Sequence, residues 1–330
     1  GPGSDDQAIE TRFDSAREAG LRFGRFDTEI EPTLGIGMII NPTEWLQNDA
    51  IGVRDVTTLD RPTFVAELRE RVEASPSRSL MVAVHGFREA FPSALRKTAF
   101  LGHVLDIDTP VLLFDWPGNQ GSTPRGYRRA QEIAKASGAE LAQALDLIIQ
   151  EIEPDRLWLI ANSMGAQVAV DAFGLLHQQP ELADDATEIE DVVLTAPDVD
   201  HAQFEGQFQD EIAALARDLT IYVSSNDRAL LMSRLLNRGR RGGESTIRPG
   251  RAETARGEAG APQPDDQRVT LVDVTPVNRT RNFHNFSLET PEFFDDLYRR
   301  LTNRETPHSR PLYPVRSPEG QVYWILTRGR

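Results

Sequence analysis

The segment RLWLIANSMGAQVAV, residues 156–170, sets one serine between an apolar run and a stretch of small residues. Ser163 has Ala161 two positions before it and Gly165 two positions after. A hydroxyl becomes a useful nucleophile only when a base takes its proton, the base is oriented, and the developing oxyanion is held. A sharp strand-to-helix turn presents such a serine to a substrate if the residues two before and two after are small. Larger ones would make the strand and helix backbones clash. Serine is also a favoured helix N-cap. Ser163 is one or the other, and the remaining residues decide which.

A nucleophile on such a turn calls for an acid and then a histidine later in the chain. The chain has six histidines. His85 precedes the serine, His103 and His177 fall inside predicted helices, and His201 and His308 lie in polar stretches. His284 alone follows the last predicted strand, in NRTRNFHNFSLETPEFF, a loop leading into a helix, and is the candidate base. As a structural residue it would be a helix-entry or aromatic-packing histidine. Two carboxylates end strand-like segments. Asp227 closes LTIYVSSND and Asp198 closes LTAPDVD. Both would emerge at the C-terminal edge of a sheet, where ligand crevices form. Asp227 is the preferred acid, because the acid usually follows the penultimate strand, and Asp198 is the alternative. Either could equally be a turn aspartate. For the oxyanion, one backbone N–H belongs to Met164, after the serine. The second belongs to the HGFRE loop, at Phe87, where Gly86 allows a close turn. His85 reads as a support of that loop and not as a second base.

Six apolar, β-branched segments would position these residues: 79–87, 109–116, 156–163, 191–198, 219–227 and 269–275. Each is nearly continuous in apolar residues, as strands buried on both faces are. Helix-length stretches lie between most of them: 93–107, 126–152, 165–179 and 202–218. In the second, Ile133, Ala136, Leu141, Ala144, Leu145 and Ile148 recur at helical spacing and predict the buried stripe. Strand alternating with helix predicts an α/β fold whose mostly parallel central sheet is covered by helices on both faces.

The flanks divide the chain further. Residues 1–4, GPGS, read as a remnant of tag removal. Residues 5–75 read as an N-terminal extension joining the core, with strands near LRFGRFDTEI and IGVRDVTTL. A helix follows at RPTFVAELRERVEA, with Pro62 in its first turn. Residues 76–304 form the core, a single domain. Within it, 239–268 is rich in Gly, Pro, Arg and Glu and poor in large apolar side chains, a flexible insertion. Residues 305–330 form a tail with a hairpin turning at Pro318-Glu319-Gly320, whose Tyr323, Trp324 and Ile325 need somewhere to pack.

Composition narrows the partners. The chain has 330 residues, 39% of them hydrophobic and 26% charged. No run approaches the roughly 18 uninterrupted apolar residues of a membrane helix, so no transmembrane segment is expected. A net charge of −15 opposes general nucleic-acid binding. Without cysteine there is no disulfide, thiolate metal site or thiol nucleophile. No cofactor or metal is called for. Composition leaves the oligomeric state undetermined and the compartment open among cytoplasm, periplasm and exterior.

The blocks VAVHGFREAFPSALRKTAFLGHVL, PVLLFDWPGNQGS…GY, LIANSMGAQV, LTAPDVD…F, IYVSSNDRALLMSR and FHNF occur in this order. In that order they resemble a bacterial esterase/lipase-like family catalogued as α/β hydrolases of unknown function, from about residue 20 to about residue 303. The resemblance implies an α/β-hydrolase fold with Ser163 as nucleophile, His284 as base and Asp227 as acid. Asn162 stands where that family usually has His, and Arg88 where it usually has Asn after His-Gly-Phe. Both changes bear on pocket polarity. The expected activity is hydrolysis of a carboxylic ester, small-molecule or lipid-like, through an acyl-enzyme on Ser163. Lipase, thioesterase and amidase share this fold and triad. A catalytically idle α/β-hydrolase binding module is the alternative from another class. Epoxide and haloalkane hydrolases are disfavoured, since they place a carboxylate where Ser163 stands.

Overall fold

The computed structural model describes residues 16–30, 51–179, 188–200, 203–204, 211, 214–224, 269–278, 286–316 and 322–328. Strand residues alternate between two faces, so an uninterrupted apolar run feeds two cores at once. Six such runs become strands β3 (Ser79–Val84), β4 (Val111–Phe114), β5 (Arg156–Asn162), β6 (Ile189–Thr195), β7 (Ala216–Val223) and β8 (Val269–Asp273). On one face Leu80, Val82, Leu157, Leu159, Val192 and Leu194 are buried together. Helices α1 (Arg61–Ala74), α3 (Pro124–Leu147) and α4 (Gly165–Leu176) cover that cluster. On the other face Met81, Trp158, Ile160, Val193 and Val272 pack under α2 (Phe91–Leu105) and α6 (Pro291–Asn303). A short helix, α5 (Phe286–Glu289), precedes α6.

The eight-stranded sheet runs β4-β3-β5-β6-β7-β8-β10-β9. Every pairing in it is parallel except that of β9 (Leu312–Arg316) with β10 (Val322–Leu326). The C-terminal hairpin therefore extends the sheet through β10, with Trp324 opposite Val272 of β8. The need of its aromatics for a packing site is met there. Trp324 joins the face under α6, while Tyr323 and Ile325 join the opposite one. The 318–320 turn and the 239–268 insertion lie outside the described residues.

At the other end, β1 (Phe23–Ile30) and β2 (Ile51–Leu59) form a separate antiparallel pair. Phe23 and Leu59 pack on one core face, and Ile30 and Ile51 on the other, so the pair straddles the β4 edge. A cavity of about 1050 Å³ remains between them. Helix α1 spans the segment expected of it, with Pro62 in the first turn and Asp60 accepting a hydrogen bond from the Thr63 N–H at 2.9 Å.

Two expectations need correction. Strand β7 begins at Ala216, three residues before Leu219, taking ARD from the expected helix. Pairing explains this, since Ile189 faces Ala216 and Asp191 faces Asp218 across the ladder. Arg217 also reaches Glu190, and Arg300 of α6 reaches Asp218 at 2.6 Å. In α3 the buried stripe runs through Ala130, Ala134, Ser137, Gly138, Leu141 and Leu145, while Ala136 is exposed. Small residues select this face because α4 passes close by. A Cβ on Gly138 would stand 2.5 Å from Asp171 Cβ. Helix α3 ends in a π-helical turn, Ile148–Ile152.

Among the described residues no helix is long and apolar enough to cross a membrane. A buried charge group ties β7 to the C-terminal region. Asp296 accepts the Tyr222 hydroxyl at 2.6 Å and faces Arg310 at 3.1 Å, both charged side chains being almost wholly enclosed. Removing one partner of a buried pair strands the other's charge, at about 3–5 kcal/mol. Arg310→Met is expected to lower the unfolding free energy at pH 8 by that amount, read as a fall in the urea midpoint with an unchanged slope.

Candidate functional site

Strands β3 and β5 end at Val84 and Asn162, so the loops that follow meet at one edge of the sheet. Ser163 lies between β5 and α4 with φ of +51°, in the left-handed region. A non-glycine residue there costs about 1–3 kcal/mol and persists only when its surroundings hold it. The Ser163 N–H donates to Thr195 O at 2.9 Å, and its carbonyl accepts from Ala166 N and Asp198 N, both at 3.0 Å. A capping serine has extended backbone and accepts an N–H of the first turn. Ser163 does neither. Met164 occupies the cap position of α4, without a side-chain hydrogen bond.

The demand for small neighbours has a more particular source than a clash of β5 with α4. A Cβ on Gly165 would lie 2.7 Å from Val84 O and closer still to His85 O. The helix start thus rests against the end of β3. Ala161 is fully buried in the core. A Cβ on Gly86 would lie 3.0 Å from both Asn162 Oδ1 and Ser163 Cβ, and one on Gly118 would lie 2.9 Å from Gly86 O. The Arg88 N–H donates to Gly118 O at 2.9 Å, which seats the loop after β3 on the loop after β4.

Met164 follows Ser163 and Phe87 follows Gly86, and neither backbone N–H donates to a described residue. His85 is buried under this loop. Its Nδ1 is 2.9 Å from Gly86 O and its Nε2 is 3.0 Å from Asp115 Oδ1, while its ring stacks on Trp116. Burial lowers its proton affinity. The Asp115 carboxylate and the Gly86 carbonyl more than offset that, so its pKa lies above the ordinary histidine value. With both ring nitrogens engaged, His85 braces the loop.

Asp227 and His284, the candidate acid and base, lie outside the described residues. Their flanks are described. Ser224, just beyond β7, accepts from Asn278 Nδ2 at 2.6 Å. Asn162 Nδ2 donates to Thr195 Oγ1 at 2.8 Å and reaches Ser287 Oγ at 3.4 Å, so the turn at Ser163 touches the segment three positions after His284. Asp198, the alternative acid, accepts the Tyr127 hydroxyl at 2.6 Å. The other histidines serve elsewhere. His103 lies on α2, His177 caps the far end of α4, and His308 sets its ring edge-on to Trp324; His201 lies outside the described residues. Tyr127 went unsuspected in the sequence, because 71 residues separate it from Asp198 and no local spacing joins them.

A mostly parallel sheet between two helical layers, with a left-handed serine after a central strand, defines an α/β hydrolase. The chain belongs to the family described as "Alpha/beta hydrolase of unknown function (DUF900)", whose model matches residues 61–300. The match starts at Arg61, well after residue 20, so the β1–β2 pair and the C-terminal hairpin fall outside it. No curated protein matches the chain.

The packing at Gly165 makes a direct prediction. Gly165→Ala must push the start of α4 away from the end of β3, and overpacking of this kind costs about 1–3 kcal/mol. The measurement is the thermal unfolding midpoint, with Gly121→Ala as the contrast, where a Cβ would meet nothing but the backbone has φ of +81°. Gly165→Ala is expected to lower the midpoint more.

Proposed function

We propose that the protein is a serine hydrolase that cleaves carboxylic esters through an acyl-enzyme on Ser163. The observation that carries this reading is the left-handed backbone of Ser163 at the β5–α4 junction, a strained conformation that helix capping does not call for. Such a turn lifts the side-chain hydroxyl clear of the sheet edge.

In the proposed reaction the Ser163 hydroxyl attacks the ester carbonyl while His284 accepts its proton. Asp227 fixes the imidazole tautomer and stabilises the imidazolium that forms. The Phe87 and Met164 N–H groups receive the oxyanion. His284 then protonates the departing alcohol and afterwards takes a proton from the water that releases the acyl group. Three local features support these roles. Both amides lack a partner among the described residues, Gly86 and Gly118 bring the Phe87 loop close to Ser163, and His85 is committed to holding that loop.

Ser163→Ala is expected to abolish hydrolysis of p-nitrophenyl esters and labelling by a fluorophosphonate, with circular dichroism unchanged. Loss of a nucleophile of this type costs on the order of 10⁶-fold in rate. Activity above a tenth of wild type would refute the proposal. The acid is tested separately. Asp227→Asn is expected to reduce kcat on the order of 10⁴-fold, through loss of the histidine tautomer, and Asp198→Asn far less. The reverse ranking would move the acid to Asp198.

A further inference from the structure

Asp198 takes no part in the chemistry above, yet it lies against it. Its N–H donates to the Ser163 carbonyl at 3.0 Å, which fixes its backbone beside the nucleophile. Its Oδ2 accepts the Tyr127 hydroxyl at 2.6 Å. The same hydroxyl accepts from Gln131 Nε2 at 3.3 Å, which directs the tyrosine proton to the carboxylate. The Tyr127 ring stands edge-on to the Phe87 ring, 5.4 Å between centroids at 89°. Phe87, Tyr127 and Asp198 thus form one wall, from the loop after β3 to the loop after β6, with Ser163 beside it.

Among the described residues, this wall brings no cation to the carboxylate. A phenol donates a hydrogen bond but brings no charge, and Lys135, one turn beyond Gln131, pairs with Asp200 instead. An ionised carboxylate has about four acceptor positions on two oxygens. Among the described residues, Oδ1 has neither a hydrogen bond nor an ion pair. A pinned, half-buried carboxylate with one oxygen unengaged by any described residue is suited to receive a donor from outside the protein.

Building on Ser163 as the nucleophile, we propose that Asp198 is a specificity residue. Its Oδ1 accepts a hydrogen bond from an ammonium or hydroxyl group carried by the substrate near the scissile ester, and its charge repels substrates carrying a carboxylate there. A site that pairs with a substrate donor discriminates against analogues lacking it, and a like charge rejects more strongly still. Tyr127 is the positioning residue that aims the carboxylate.

The test uses p-nitrophenyl esters of equal acyl length bearing a methyl, hydroxyl, ammonium or carboxylate terminus, compared by kcat/KM on the full-length protein. Wild type is expected to prefer the ammonium and hydroxyl esters and to take the carboxylate ester last. The ammonium-to-carboxylate ratio is expected to be about tenfold or more, narrowing as salt screens the charge. Asp198→Asn, nearly isosteric, is expected to bring that ratio close to one. Tyr127→Phe keeps the charge but releases its aim, so rejection of the carboxylate ester persists while the hydroxyl preference is lost. An unchanged ratio in Asp198→Asn would overturn the assignment. An equal fall on all four esters, on the order of 10⁴-fold, would overturn it too, since that is the signature of a triad acid. Fluorophosphonate labelling of wild type separates the two layers. Labelling without any charge ranking removes only the role of Asp198, whereas no labelling removes the nucleophile and this inference with it.

Discussion

The close approach of the α4 start to the end of β3 is the contact on which the candidate site depends. Gly165 sits where a single added carbon would meet the Val84 and His85 carbonyls, so the helix can begin there only without a side chain. With the helix start pressed against β3, the chain leaving β5 must turn within two residues. Ser163 takes the strained backbone that this turn requires. Its strain is balanced from the neighbouring strand, since Thr195 O and Asp198 N hold the serine peptide groups from the end of β6. The ends of β3, β5 and β6 therefore meet at this turn, β3 against Gly165 and β6 through Thr195 O on Ser163.

The opposite edge of the sheet carries a different kind of order. Arg156 on β5 pairs with Glu190 on β6 at 2.6 Å, and Arg300 on α6 bridges Asp191 on β6 and Asp218 on β7. Burial pushes the Asp191 carboxyl up to about 7 even with Arg300 beside it. Buried ions pay heavily for desolvation, so pairs like these are weak sources of net stability. Each one joins separate elements, however, and a slipped register would leave its charge unmatched. Strand register is thus specified at the end away from Ser163, while loops at the near end carry the candidate chemistry.

Much of this was legible in the chain itself, for reasons that differ from element to element. The strands were visible because burial on both faces demands unbroken apolar runs, and helix α1 because Asp60 and Pro62 mark its start. Ser163 stood out because Ala161 and Gly165 have a meaning at that spacing only if backbones pass closely. The start of β7 was hidden, since ALARD has helix-forming residues and it is pairing with β6, helped by Glu190 and Arg300, that draws Ala216, Arg217 and Asp218 into a strand. The α3 stripe was legible in Leu141, Leu145 and Ile148, which are buried, but Ala136 points outward and the close contact with α4 is made at Gly138, which apolar spacing does not mark.

By itself, the sequence determined the α/β class, the order of strands and helices along the chain, and the serine at the turn. All of these follow from periodicity and short-range sterics, which are local properties of a chain. The tertiary structure alone decided that Gly165 answers to the β3 carbonyls, that the C-terminal hairpin joins the sheet through β8, and that Tyr127 holds Asp198 beside Ser163. Those are contacts between residues tens of positions apart, and no spacing within one segment encodes the distance between two others.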